Sequence, residues 1–220
     1  MKKPPRSANK KIHQIVLTIS EIQNHDPIRR REVTRPYTHM KDIKRYNERL
    51  KKILTSEELS IFRKDRYSLI DFGYEYVDIG QYRKAFELFN IGVKLNGTDP
   101  DILNGIGISL CEMGRFKSSV AFLEKAVQTY PDDAIILANL AGVYWEICAY
   151  EKAIYYYTRS LALDPEIGET HMNIINLYYE MGDLFMAYIS CLNYLKIAPQ
   201  DQQALELRDD IILNLGISMY

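Results

Sequence analysis

Residues 106–127 read IGISLCEMGRFKSSVAFLEKAV, and residues 140–161 read LAGVYWEICAYEKAIYYYTRSL. The second string is the first moved on by 34 positions, with size kept in phase: Gly107 and Ala141 are small, Phe116 and Tyr150 aromatic, Ser119 and Ala153 small again. The register extends outward in both directions. Gly73, Gly107, Ala141 and Ile175 form one series and Tyr82, Phe116, Tyr150 and Leu184 a second. Ala85, Ser119, Ala153 and Ala187 form a third, and Gly97, Pro131, Pro165 and Pro199 close each period. A fixed period of this length, carrying small, aromatic, small and proline positions in one phase, is the mark of a helix–turn–helix solenoid.

The half-repeats carry the match further. The first halves read Phe72-Gly73-x-x-Tyr76, Ile106-Gly107-x-x-Leu110, Leu140-Ala141-x-x-Tyr144 and Ile174-Ile175-x-x-Tyr178. The second halves read Ala85-x-x-x-Phe89, Ser119-x-x-x-Leu123, Ala153-x-x-x-Tyr157 and Ala187-x-x-x-Cys191. Over residues 66–201 the chain resembles the tetratricopeptide repeat family. The resemblance implies an all-α, right-handed helical solenoid of four repeats, over residues 66–99, 100–133, 134–167 and 168–201. A lead-in from residue 55, a C-terminal capping helix within 202–220 and a basic N-terminal helical extension over 1–54 complete it. Small residues let two antiparallel helices approach; Tyr76, Tyr144, Tyr178, Phe89 and Tyr157 fill the space between repeats. Gly80, Gly114 and Gly182 stop the first helix of a repeat, and the prolines end the second. Cys148 stands where the third repeat wants its turn glycine, so a less regular turn is expected there. Ile175 stands where the fourth wants a small residue, so its two helices are expected to splay.

The 220 residues hold three cysteines, Cys111, Cys148 and Cys191, at no metal-ligand spacing. Buried thiols in a reducing, cytoplasmic compartment are expected. No apolar run is long enough to span a bilayer, and no apolar leader follows the basic start. Charge is divided unevenly. Residues 1–66 carry 18 Lys+Arg against 8 Asp+Glu, a net of +10; residues 67–220 carry 10 against 21, a net of −11. The positive arm includes Arg29, Arg30, Arg31, Lys44, Arg45, Lys51 and Lys52. Residues 12–23 and 39–53 have helical apolar spacing, 24–36 reads as a linker, and residues 1–10 as disordered. Thr55 and Glu58 form a capping box whose helix should run on into the first repeat, with Leu59, Phe62 and Ile70 inward. Residues 202–215 read as a terminal cap with Leu205 and Ile212 on core positions and Gly216 as its stop.

No phosphate loop, nucleophile elbow, zinc motif or C-x-x-C is present, so neither an enzyme nor a cofactor or metal is expected. His171 reads as a packed histidine. The resemblance implies that the first helix of every repeat lines a concave groove for a peptide or helix. It assigns to that groove Tyr74, Asn104, Ile108, Asn139, Trp145, Asn173 and Asn176. The family's clamp for chaperone C-termini needs Lys or Arg on these helices, and none stands there. Asp78, Glu112, Glu146 and Glu180 recur at a spacing of 34, which forms either an ordinary solvated helix end or an acidic rail for a basic or apolar partner segment. The reading is a protein-interaction scaffold, with the basic arm folding back to regulate the groove. The alternatives are nucleic-acid or anionic-surface binding through the arm, and a secretion-type client chaperone. The oligomeric state is not readable.

Overall fold

The structure is a computed structural model that describes residues 50–54, 68–96 and 99–216. The arm up to Arg49, the capping box at Thr55 and the lead-in to Tyr67 lie outside the described residues, as do Leu59 and Phe62. Lys51 and Lys52 are described, on a helical turn over residues 50–53, and both are exposed. Among the described residues the secondary structure is entirely helical, with no strand. The chain divides near residue 131 into two compact units, each built of antiparallel helix pairs.

In the first unit α1 (Ser68–Asp78) packs on α2 (Tyr82–Asn96), α2 on α3 (Pro100–Glu112), and α3 on α4 (Phe116–Thr129). Asp99 starts α3 by accepting from the Asp101 N–H at 2.9 Å, ahead of a proline at the first helical position. The small positions of the repeat set how close the helices lie. A Cβ on Gly73 would stand 2.5 Å from the ring of Phe89, and one on Gly105 would strike the same ring. Phe89, fully buried on α2, is therefore held between the backbones of α1 and α3. Gly107 gives way to Leu123 in the same manner, and the Ser119 hydroxyl donates to the Gly107 carbonyl at 2.6 Å.

In the second unit α5 (Ala134–Glu146), α6 (Tyr150–Leu163), α7 (Gly168–Glu180), α8 (Leu184–Ile197) and α9 (Gln202–Asn214) follow one another, each packed on the next. Asp133 caps α5 through the Ile135 and Ile136 N–H groups, Asp183 caps α8, and Asp201 caps α9. Ile175, Ala187, Cys191, Tyr194, Ala204 and Ile211 form one buried cluster that ties α9 to the last hairpin. The cap thus rests on Ala204 and Ile211, with Ile212 also buried and Leu205 only half-buried. Leu205 corrects the expected core pair: one position of helical phase moves the buried stripe onto Ala204 and Ile211.

The two positions that depart from the repeat pattern are accommodated in different ways. Cys148 adopts φ 59°, the left-handed conformation that Gly80, Gly114 and Gly182 adopt in the other turns. Its N–H donates to the Trp145 carbonyl at 2.8 Å and the Ala149 N–H to the Tyr144 carbonyl at 2.8 Å, the same pair of bonds as at Gly114 and Arg115. The turn is regular because its hydrogen bonds hold a residue that has a Cβ. Cys148 is also exposed and Cys111 half-buried, so only Cys191 is the buried thiol expected of all three. Ile175 is fully buried in the cluster that contains Cys191. Where the other hairpins set a small residue against a large one, Gly73 against Phe89 and Gly107 against Leu123, this hairpin sets Ile175 against Cys191. Volume moves from one helix to its partner, which accommodates Ile175.

Candidate functional site

In the first unit the groove candidates turn inward. Tyr74, Asn104 and Ile108 are buried. The Tyr74 hydroxyl donates to the Asp101 carbonyl at 2.9 Å and accepts from the Asn104 side-chain amide at 3.1 Å. Its ring meets Phe89 edge-on with centroids 5.1 Å apart. These residues bind α1 to α3 and leave little side-chain surface for a ligand. Of the acidic series, Asp78 is exposed and Glu112 half-buried. Burial, followed by the charge of Glu112 and a hydrogen bond to it, pushes the Tyr82 phenol up to about 12.

The second unit keeps its candidates nearer the surface. Asn139 and Asn173 are buried, whereas Asn176, Trp145 and Glu146 are half-buried and Glu180 is exposed. The Trp145 indole N–H donates to Glu180 Oε2 at 2.9 Å. The ring is thereby pinned at the end of α5 with a carboxylate at its edge. The Tyr150 phenol nearby is pushed up to about 12, chiefly by a hydrogen bond to Cys148, then by burial and by the charges of Cys148 and Glu180. One helix pair further on, the Tyr179 hydroxyl donates to Asp210 Oδ2 at 2.6 Å and accepts from the Asn214 amide at 3.0 Å. The hydrogen bond to Asp210, then burial, raises its phenol.

Sequence reasoning found neither linkage. The signal was available: Trp145 to Glu180 and Tyr179 to Asn214 are both steps of 35. An aromatic side chain near the end of one first helix therefore hydrogen-bonds the polar residue at the end of the next, donating in the case of Trp145 and accepting in the case of Tyr179. Glu112 and Glu180 thus combine two roles, since each faces solvent in part and each also holds an aromatic side chain. His171 packs as expected, its ring stacked on Tyr194 at 5.0 Å and Nε2 2.9 Å from the Pro165 carbonyl oxygen. Among the described residues no group of three His, Cys, Asp or Glu is placed to hold a metal ion, and no helix is long and apolar enough to cross a membrane.

Stacked antiparallel helix pairs of one repeated length, with glycine-type turns and a terminal cap, define a helical-repeat protein. Residues 99–166 match the family model of the tetratricopeptide repeat. The chain is 25% identical to anaphase-promoting complex subunit 6 of Arabidopsis thaliana over 140 residues, covering 61% of this chain and 26% of that protein. It is 25% identical to a TPR repeat-containing protein of Methanocaldococcus jannaschii over 167 residues, covering 68% and 28%. It therefore spans about a quarter of the length of these relatives. The crystal structure of a thermophilic TPR protein of Thermus thermophilus superimposes with a TM-score of 0.63 at 20% identity, over 80% of this chain and 93% of that one. Residues 99–166 are thus tetratricopeptide repeats, and the helical fold around them is that of TPR proteins. Domains of this kind bind protein partners, and the fold is typically a non-catalytic scaffold.

Proposed function

We propose that this protein is a cytoplasmic interaction scaffold that takes a basic, partly apolar peptide or helix on the first-helix side of residues 132–216. The observation that carries this reading is Trp145, the chain's one tryptophan, half-exposed with its indole N–H fixed on the exposed Glu180. A pinned aromatic ring beside a carboxylate suits a lysine or arginine side chain, which gains both a cation–π contact and a charge partner. The surrounding sequence supports it: residues 132–220 hold 4 Lys+Arg against 13 Asp+Glu, a net of −9, whereas residues 67–131 hold 6 against 8, a net of −2. Asn176 supplies a donor and an acceptor for the bound backbone, with Glu146 as a second carboxylate. Asn139 and Asn173, buried on first helices of the same unit, then shape the site from beneath, whereas Tyr74, Asn104 and Ile108 stay within the first unit and take no part in it. A reducing compartment suits Cys191, whose buried thiol donates to the Ala204 carbonyl at 3.2 Å.

Trp145 is its own probe. Its fluorescence is to be followed as the full chain is titrated with a peptide alternating arginine and leucine, and with the same peptide carrying glutamate for arginine. The basic peptide should change the emission and bind more weakly as salt rises, and the acidic one should do neither. Equal responses to both peptides, or to neither, overturn the reading. Trp145→Ala should weaken the basic peptide by about 2 kcal/mol, read by a label on the peptide, with helicity retained.

A further inference from the structure

On α8 the face turned away from the core is apolar. Ala187, Cys191 and Tyr194 point into the buried cluster. At 3.6 residues per turn, Phe185, Ile189, Leu192 and Lys196 fall in one narrow sector on the opposite side. Phe185 is 65% exposed and Ile189 37%. The repeat does not require this: at the position of Phe185 the three earlier repeats hold Arg83, Lys117 and Glu151, all exposed. A helix that is apolar on both faces is ordinarily covered on both.

We infer that a second copy of this chain covers it, through antiparallel pairing of α8 with α8. The seam steps by four, three and four residues, a coiled-coil spacing that reads the same in either direction. A second α8 laid antiparallel sets Ile189 against the partner's Leu192, and Phe185 against the partner's Lys196, twice each by symmetry. The lysine stem covers the phenyl ring and its ammonium reaches the end of the helix that the partner's Asp183 caps. Parallel pairing would instead bring the two Lys196 side chains together. Charge thus selects the antiparallel arrangement. The seam is short, so the buried area falls under about 1,200 Å² in total and the pair is a reversible one. This surface is separate from the peptide site proposed above.

The test is the mass of the full chain in solution, by sedimentation or light scattering, from about 10 to about 300 µM. The native chain should pass from monomer toward dimer across that range. Ile189→Lys alone and Leu192→Glu alone should each stay monomeric with unchanged helicity. An equimolar mixture of the two should recover the dimer, since antiparallel pairing sets the new lysine against the new glutamate on one side and keeps Ile189 on Leu192 on the other. A native chain that stays monomeric throughout, a dimer that Ile189→Lys leaves intact, or a mixture that recovers nothing overturns the proposal.

Discussion

Cys148 holds a backbone conformation, φ 59°, that an L-residue adopts at a cost of about 1–2 kcal/mol and glycine adopts freely. Glycine also gives the unfolded chain more freedom, which offsets part of that gain. Cys148→Gly should therefore stabilise the protein by about 0.5–1 kcal/mol, a rise in Tm of about 1–4 °C for a chain of this size. A calorimetric Tm that falls would mean that the hydrogen bond between Tyr150 and the Cys148 thiol outweighs the relieved backbone. Tyr194 gives a prediction in pH. Burial, then the hydrogen bond to Asp201, pushes its phenol up to about 12, against about 10 in an unfolded chain. The folded form keeps a proton that the unfolded form releases, so this contribution is complete below about pH 10 and is lost as pH rises toward 12. Urea denaturation between pH 9 and 11.5 should show stability falling, and Tyr194→Phe should make the fall shallower while lowering stability near neutrality by about 1 kcal/mol. An unchanged slope would contradict the assignment. Neither effect was legible as a local motif: Cys148 looked like a broken turn because the hydrogen bonds that force it lie in the backbone.

The helix pair is the element in which the sequence spoke most clearly. Small positions at Gly73, Gly107, Ala153 and Ala187 announced close crossings because a Cβ or a longer side chain there has nowhere to go. Ile175 cannot be read from its own column, since its excess volume meets the small Cys191 sixteen residues later, and a single column does not show a trade between two columns. The trade can be measured. Ile175→Ala alone should cost about 2–5 kcal/mol, and Cys191→Tyr alone about 1–3 kcal/mol through overpacking. Together they place alanine and tyrosine at the positions that the third repeat fills with Ala141 and Tyr157, so the double variant should be more stable than the sum of the single effects by about 0.5–3 kcal/mol. Strict additivity in denaturation midpoints would mean that the two side chains do not share one space. The groove candidates were harder to read at this scale. Periodicity places Tyr74, Asn104, Asn139 and Asn173 on the first-helix face, but burial depends on what packs over that face, and the 34-residue register carries no such information. Trp145 stayed at the surface because it sits at the end of its helix, where its indole meets Glu180.

Across the whole chain the organising feature is charge. A net of +10 over residues 1–66 is tethered to a net of −11 over residues 67–220, of which residues 132–220 carry −9. Tethering makes any encounter between them intramolecular, at an effective concentration near millimolar for a short flexible linker. We propose that the arm competes with an outside basic segment for the carboxylates around Trp145. The most direct measurement is the Kd of the arginine–leucine peptide for the full chain and for the chain lacking residues 1–38, each at low and at high salt. The account predicts tighter binding to the shortened chain at low salt, with the difference between the two chains vanishing at high salt. Equal affinities at low salt, or a peptide that binds neither chain, would contradict it.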